Sequence, residues 1–235
     1  MCGRFTLTID LAELTNTWPW LTVPDRAASG ALPRFNIAPT QPVAVVPNDN
    51  NRTLDFFTWG LIPSWADDPG VGSRMINARG ETAAEKPSFR AAYKRRRCLI
   101  VADGFYEWQK VPGQDRKQPM YIQFKSGEPF GFAGLWEIWH SPHGDEIYSC
   151  TIITTKPNDL LKSIHDRMPV ILPDDAIDTW LDPGEVDQGA LDGLLKPYPA
   201  DRMQSYPVSM LVNSPVNDTP ECIEPADVQG QLPLS

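Results

Sequence analysis

The chain has 235 residues, a formal net charge of −9, 24 prolines and four cysteines, which suits one domain with a substantial core, rich in loops and short strands and unlike a helical bundle. No run approaches the roughly 18 apolar residues of a membrane-spanning helix, Arg4 and Asp10 interrupt any signal-peptide core, and Cys2, Cys98, Cys150 and Cys222 form no CxxC pair, so the expected setting is a reducing cytosol with no cysteine-bound metal. The charge is uneven: residues 174–235 hold 12 acidic and 2 basic side chains, whereas Arg74 to Arg97 supply eight basic residues against Glu81 and Glu85. A polyanion-binding face and an ordinary solvated surface both fit that pattern.

The first four residues, Met1-Cys2-Gly3-Arg4, carry the strongest chemical signal. If Met1 is removed, Cys2 bears an α-amine and a thiol on adjacent carbons, a 1,2-aminothiol. Such a pair reacts with an aldehyde by forming a Schiff base and then closing a thiazolidine. The competing reading is that Cys2 is a small buried hydrophobe, as free cysteines commonly are.

Asp10-Leu-Ala-Glu13 has capping-box spacing and predicts a helix to about Thr17. Val43–Val46, between Pro42 and Pro47, and Leu54–Trp59 read as strands joined by a turn at Asn48–Asn51. Gly60–Gly72 reads as a loop in which Trp65 either plugs the core or offers a stacking face to a base. Met75–Ile76 leads through Asn77 and Arg79 to a predicted helix over Thr82–Lys86, and Pro87-Ser88 opens another to about Arg96. Asn77 and Arg79 fit a turn and a surface charge as well as a site.

Cys98–Ala102 reads as a buried strand, and Asp103-Gly104 turns it into Phe105-Tyr106-Glu107-Trp108. Among those aromatics a carboxylate is partly desolvated, which disfavours its charged form and suits a general acid; strand alternation would instead point Glu107 outward. Met120–Lys125, Phe130–Leu135 and Ile147–Thr154 are three further predicted strands. His140 and His143 have HxxH spacing but lie in a Ser-Pro-Gly loop without a third ligand, so no metal is expected. Pro157-Asn158 opens a predicted helix ending near His165, a residue that fits either a helix C-terminus or a proton shuttle. Asp174–Leu181 and Val186–Leu195 read as helices, Tyr206–Asn213 as a strand, and the remainder as loop.

Taken together, Met1-Cys-Gly-Arg-Phe5, Phe35-Asn-Ile-Ala-Pro39, Trp59-Gly-Leu-Ile-Pro63, Ile76-Asn-Ala-Arg79 with Glu81-Thr82, Ala102-Asp-Gly-Phe-Tyr-Glu-Trp108 and Ile164-His-Asp-Arg-Met-Pro169 resemble, in order, the SRAP (SOS response-associated peptidase) family. The resemblance implies an α+β domain over residues 2–216, antiparallel sheets forming a barrel-like core with short flanking helices, followed by an acidic tail at 217–235. It implies a monomer that acts in the cytoplasm, on the nucleoid when bound, without a cofactor, on abasic sites in single-stranded DNA. The implied nucleophile is Cys2 after removal of Met1, by self-cleavage or by an aminopeptidase. Asn77 would position the sugar, Glu107 open its ring, and His165 shuttle protons, with lyase side activity. Arg4, Arg79 and Arg167 would hold phosphates, and Asn36, Pro39, Trp65 and Thr154 would line the groove. Ala66 stands where some family members carry a second tryptophan after Trp65, which halves any two-ring wedge. Two rival readings are an N-terminal-nucleophile amidohydrolase of the glutamine amidotransferase type and a non-catalytic single-strand-binding module.

Overall fold

The apolar runs become strands, and pairing between segments distant in sequence decides the architecture. The computed structural model describes residues 2–25, 33–113, 115–184 and 186–226. Among them the strands are β1 (Phe5–Leu7), β2 (Arg34–Ile37), β3 (Pro42–Pro47), β4 (Asp55–Trp59), β5 (Asn77–Arg79), β6 (Arg97–Ala102) and β7 (Gly104–Gln109), followed by β8 (Gln118–Phe124), β9 (Phe130–His140), β10 (Glu146–Thr155), β11 (Met168–Pro169), β12 (Ile171–Leu172) and β13 (Met203–Pro207).

Five of these close on themselves. β10 pairs with β4, β4 with β3, β3 with β6, β6 with β9, and β9 again with β10. Closure leaves the barrel strands no free edge. The short strands β5, β11 and β12 flank it on β10 and β9. A second sheet, in the order β13, β8, β7, β1, β2, is antiparallel throughout. Phe5 of β1 locks the two together: its ring meets Trp59 edge-on at 5.1 Å and Phe132 at 5.8 Å, and Phe105 meets Phe132 at 6.0 Å. Such edge-to-face pairs add about 0.5–1.5 kcal/mol each beyond the area they bury.

The far face of the second sheet is covered too. Tyr106, Tyr121, Val208, Val212 and Cys222 form a separate apolar cluster there, so β7 is buried on both sides. Gly104 is required at its start, because a Cβ would lie 2.0 Å from the Tyr121 hydroxyl, which itself meets Thr6 Oγ1 at 2.9 Å.

The α+β class with barrel-like core and short helices holds, with local corrections. The sheets are not wholly antiparallel, since β10 runs parallel to both β4 and β5. Asp103 does not turn a hairpin: β6 belongs to the barrel and β7 to the second sheet, and the buried Asp103 carboxylate accepts from Thr6 Oγ1 and from the Thr8 hydroxyl and N–H, pinning the strand that carries the N-terminus. Asp10 does cap a helix, Leu11–Thr17, accepting from Ala12 N–H at 2.9 Å. The helices expected over Thr82–Lys86 and from Pro87 are Gly80–Ala83 and Arg90–Arg95. The segment from Pro157 makes only the 3-10 turn Leu161–Ser163, because the Asn158 side chain accepts from Leu161 N–H and donates to Tyr198 O. The expected strand Tyr206–Asn213 breaks at Ser209, whose hydroxyl caps a 3-10 turn over Met210–Asn213. Beyond it, Asp218 accepts from the N–H groups of Phe35 and Asn36, and Cys222 is fully buried.

The basic run is only partly a surface. Arg97 is wholly buried and donates to the carbonyls of Tyr93, Lys94, Trp180 and Asp182. Arg96 pairs with Glu137 at 2.7 Å, which leaves Arg74, Arg79, Lys86, Arg90, Lys94 and Arg95 exposed.

Candidate active site

β1 continues backward to Cys2 alongside β7, where Tyr106 N–H donates to Arg4 O at 3.0 Å. Cys2 is fully buried and its Sγ lies 3.8 Å from Arg4 O. From the other side β5, in parallel register with β10 so that Asn77 faces Ile152, delivers the Asn77 side chain. Its Nδ2 donates to the Cys2 carbonyl at 2.8 Å. The Asn77 Oδ1 is buried with no hydrogen-bond partner among the described residues, an acceptor that a substrate donor would satisfy.

Glu107 comes from β7 and is 1% exposed. Alternation sets it on the face of Phe105, which packs into the main core with Cys2, while Tyr106 faces the second cluster. Burial pushes its carboxyl up to about 7, so near neutral pH it can both give and take a proton. The Cys2 thiol is pushed well above its ordinary range, first by burial and then by the Glu107 charge, which places the carboxylate within electrostatic reach of the sulfur.

His165 follows the turn Leu161–Ser163, and Gln109 Nε2 ties that turn to the end of β7 by donating to Ser163 O at 3.0 Å. His165 Nε2 lies 3.9 Å from a Glu107 carboxylate oxygen. Its Nδ1 accepts from Arg167 N–H at 3.1 Å, which puts the proton of the neutral ring on Nε2, facing Glu107. Burial lowers the His165 pKa, favouring that neutral form. When the ring is charged, the Asp166 carboxylate 2.9 Å from Nδ1 is the available acceptor. Cys2, Asn77, Glu107 and His165 thus come from four separate segments to one place, bringing together a thiol, an amide bonded to the Cys2 carbonyl, a carboxyl and an imidazole.

The expected DNA-facing residues divide. Trp65 is 62% exposed on a loop closed where Gly60, at φ +135°, approaches Gly72 so closely that a Cβ would sit 2.6 Å from its carbonyl. Trp139 Nε1 holds the same loop by donating to Ala66 O at 2.7 Å. Arg79 is exposed and Pro39 half-buried. Asn36 is fully buried, donating to the carbonyls of Val212, Ser214 and Asn217. Arg4 Nη1 donates to Asn36 Oδ1 and Val212 O, both at 2.7 Å, and its guanidinium lies 5.8 Å from the Trp108 ring centre. Thr154 is buried, its hydroxyl donating to Ala78 O at 3.3 Å. Arg167 is bound in bidentate fashion by Glu81.

Asn36 and Thr154 are therefore buried within the fold, and Arg4 is half-buried against Asn36. Sequence reasoning gave Glu81 no role; the signal was an acid two residues after Arg79, matched to an arginine beside His165. Clefts of about 480 and 770 Å³ around Tyr198 contain none of the four clustered residues, so the cluster lies outside them.

The Bacillus subtilis protein named abasic site processing protein YoqW is 49% identical over 226 residues, spanning 95% of this chain and 99% of that one. Rattus norvegicus abasic site processing protein HMCES is 34% identical over 276 residues, spanning 97% of this chain and 77% of that one. A crystal structure of a Bacteroides thetaiotaomicron protein matches with a TM-score of 0.86 at 25% identity, covering 96% of this chain and all of the other. The profile of the SOS response associated peptidase (SRAP) family matches residues 1–215, and the chain belongs to that family.

Proposed function

We propose that the protein processes abasic sites in single-stranded DNA by forming a covalent thiazolidine crosslink through Cys2 once Met1 has been removed. The observation that carries this reading is the convergence on Cys2, above all the 2.8 Å bond from Asn77 Nδ2 to the Cys2 carbonyl with Glu107 and His165 alongside. Relatives over nearly the full chain are named abasic site processing proteins, which supports the substrate class.

The steps balance without a cofactor. Hydrolysis of the Met1–Cys2 peptide bond frees the α-amine. Glu107, with a pKa of about 7, moves the proton that opens the sugar hemiacetal to its aldehyde. The amine adds to the aldehyde carbon, and loss of one water, with a proton supplied by Glu107 or His165, leaves an imine. The Cys2 thiol then adds to the imine carbon while its proton passes to nitrogen, closing the ring. The thiolate is the attacking form, so the burial-raised Cys2 thiol hands its proton to the imine nitrogen or to the neighbouring Glu107 carboxylate as the sulfur bonds to carbon. The proposal includes two side activities of the same groups: self-cleavage after Met1, and strand scission by elimination from the imine before the ring closes.

Denaturing electrophoresis of the protein with an abasic single strand and with the same strand intact tests the reading. A heat-stable slow band with the abasic strand alone is expected. No band, or equal bands with both strands, contradicts it.

A further inference from the structure

The strand registers set Thr154 of β10 opposite both Arg79 on β5 and Pro169 on β11, so Arg79 and Arg167 flank the same short stretch of β10. Arg167 Nη1 and Nη2 donate to the two carboxylate oxygens of Glu81 at 2.7 and 2.8 Å, and Nη2 also donates to Thr154 O at 2.6 Å. The Arg167 side chain is 14% exposed and that of Glu81 53%, so the carboxylate lies on the solvent side of the guanidinium. The Nε donor is buried without an acceptor among the described residues. The bonds from Arg167 hold the Glu81 carboxyl below its ordinary range, and the Arg79 charge acts in the same direction.

The planar fork of arginine fits a carboxylate and a phosphodiester in the same bidentate way. Glu81 therefore fills the edge of Arg167 that a strand would use. We propose that Glu81 is an internal phosphate surrogate, which occupies Arg167 in the DNA-free protein and is displaced by the backbone of a bound strand. It weakens the encounter with strands in general and makes full engagement depend on a phosphate delivered to that spot. This inference rests on the reading of the Cys2 site as a DNA site. The opposite role, a clamp that orients Arg167 toward DNA, predicts the opposite sign.

The test measures binding of an intact single-stranded oligonucleotide by fluorescence anisotropy over a salt series, for wild type, Glu81→Gln, Glu81→Ala, Arg167→Ala and the Glu81→Gln/Arg167→Ala double variant. Crosslinking of the wild type to the abasic form of that strand is followed in parallel. Both neutral variants at Glu81 should bind several-fold more tightly at low salt. The slope of log affinity against log salt should steepen by about 0.7, the increment for one further phosphate neutralised on a single strand. The gain should vanish in the double variant. Unchanged or weaker binding by the Glu81 variants, or a gain that survives loss of Arg167, overturns the surrogate role; if the wild type still crosslinks, the Cys2 reading stands. A wild type that neither binds the intact strand nor crosslinks the abasic one overturns both.

Discussion

The Asn77 amide nitrogen lies 2.8 Å from the Cys2 carbonyl oxygen, so a strand anchored on the barrel by its pairing with β10 holds Cys2, the proposed nucleophile, by its main chain. Side-chain chemistry at Cys2 stays free while its backbone is fixed.

Asn77→Ala should therefore separate positioning from folding. Loss of one hydrogen bond costs about 1 kcal/mol, a small change in a urea melt. Misplacement of the reacting atoms should slow crosslinking about tenfold or more. Asn77→Asp, which sets an acceptor against the Cys2 carbonyl, should be at least as slow. Crosslinking at the wild-type rate in either variant would remove the clamp from the account.

Glu107 couples reactivity to stability. With a folded pKa of about 7 against an ordinary 4.5, the folded protein binds more protons than the unfolded chain between those values. Its stability contribution is complete below about pH 4.5 and is lost as pH rises through about 7, approaching ~3 kcal/mol at 1.36 kcal/mol per unit. Glu107→Gln should thus gain stability relative to wild type between pH 5 and pH 8 in paired denaturation curves. Its crosslinking rate should fall by about 10² to 10⁴. A stability difference that does not change with pH would contradict the buried, proton-holding carboxyl.

Asn36→Ala should act on the fold. The substitution strips Arg4 of one acceptor and leaves the carbonyls of Ser214 and Asn217 without their Asn36 donor, while Val212 O keeps only Arg4. A loss of about 2–3 kcal/mol is expected from unsatisfied buried groups. Guanidinium unfolding checks it; a loss below about 0.5 kcal/mol would mean that residues 212–217 are held by other contacts.

Trp65→Ala should behave in the reverse way. A ring that is 62% exposed gives up little stability. If it stacks on a base, its loss weakens single-strand binding by about 1–3 kcal/mol. Equal affinity for an abasic-free oligonucleotide before and after the change would assign Trp65 to the surface alone.

The division between legible and illegible residues follows from the range of the interactions. β3, β4, β6 and the strands β8 to β10 were readable because each is an apolar run bounded by proline, glycine or polar turns. Barrel closure through β9 and β10, and the parallel pairings of β10, depend on contacts that no local pattern encodes. Glu107 and His165 were findable as unusual residue types in unusual company. Glu107's burial was not, because Glu107 shares the face of β7 with Phe105, and the cover there is the main core around Cys2, brought in from the start of the chain. The burial of Asn36 and the anchoring of Arg4 were hidden in a similar way, because their partners include carbonyls after Ser209, a segment that reads from sequence as strand and tail.

The central claim is that a freed α-amine and the thiol of Cys2 act together on an aldehyde. Intact mass spectrometry of the protein after incubation with an abasic oligonucleotide, followed by peptide mapping of the adduct, tests it most directly. The account predicts a species equal to the protein lacking Met1 plus the strand minus one water, with the adduct on the N-terminal peptide, and no such species when the amine is blocked by a retained Met1. An adduct that retains Met1, or that maps to an internal lysine, would contradict it.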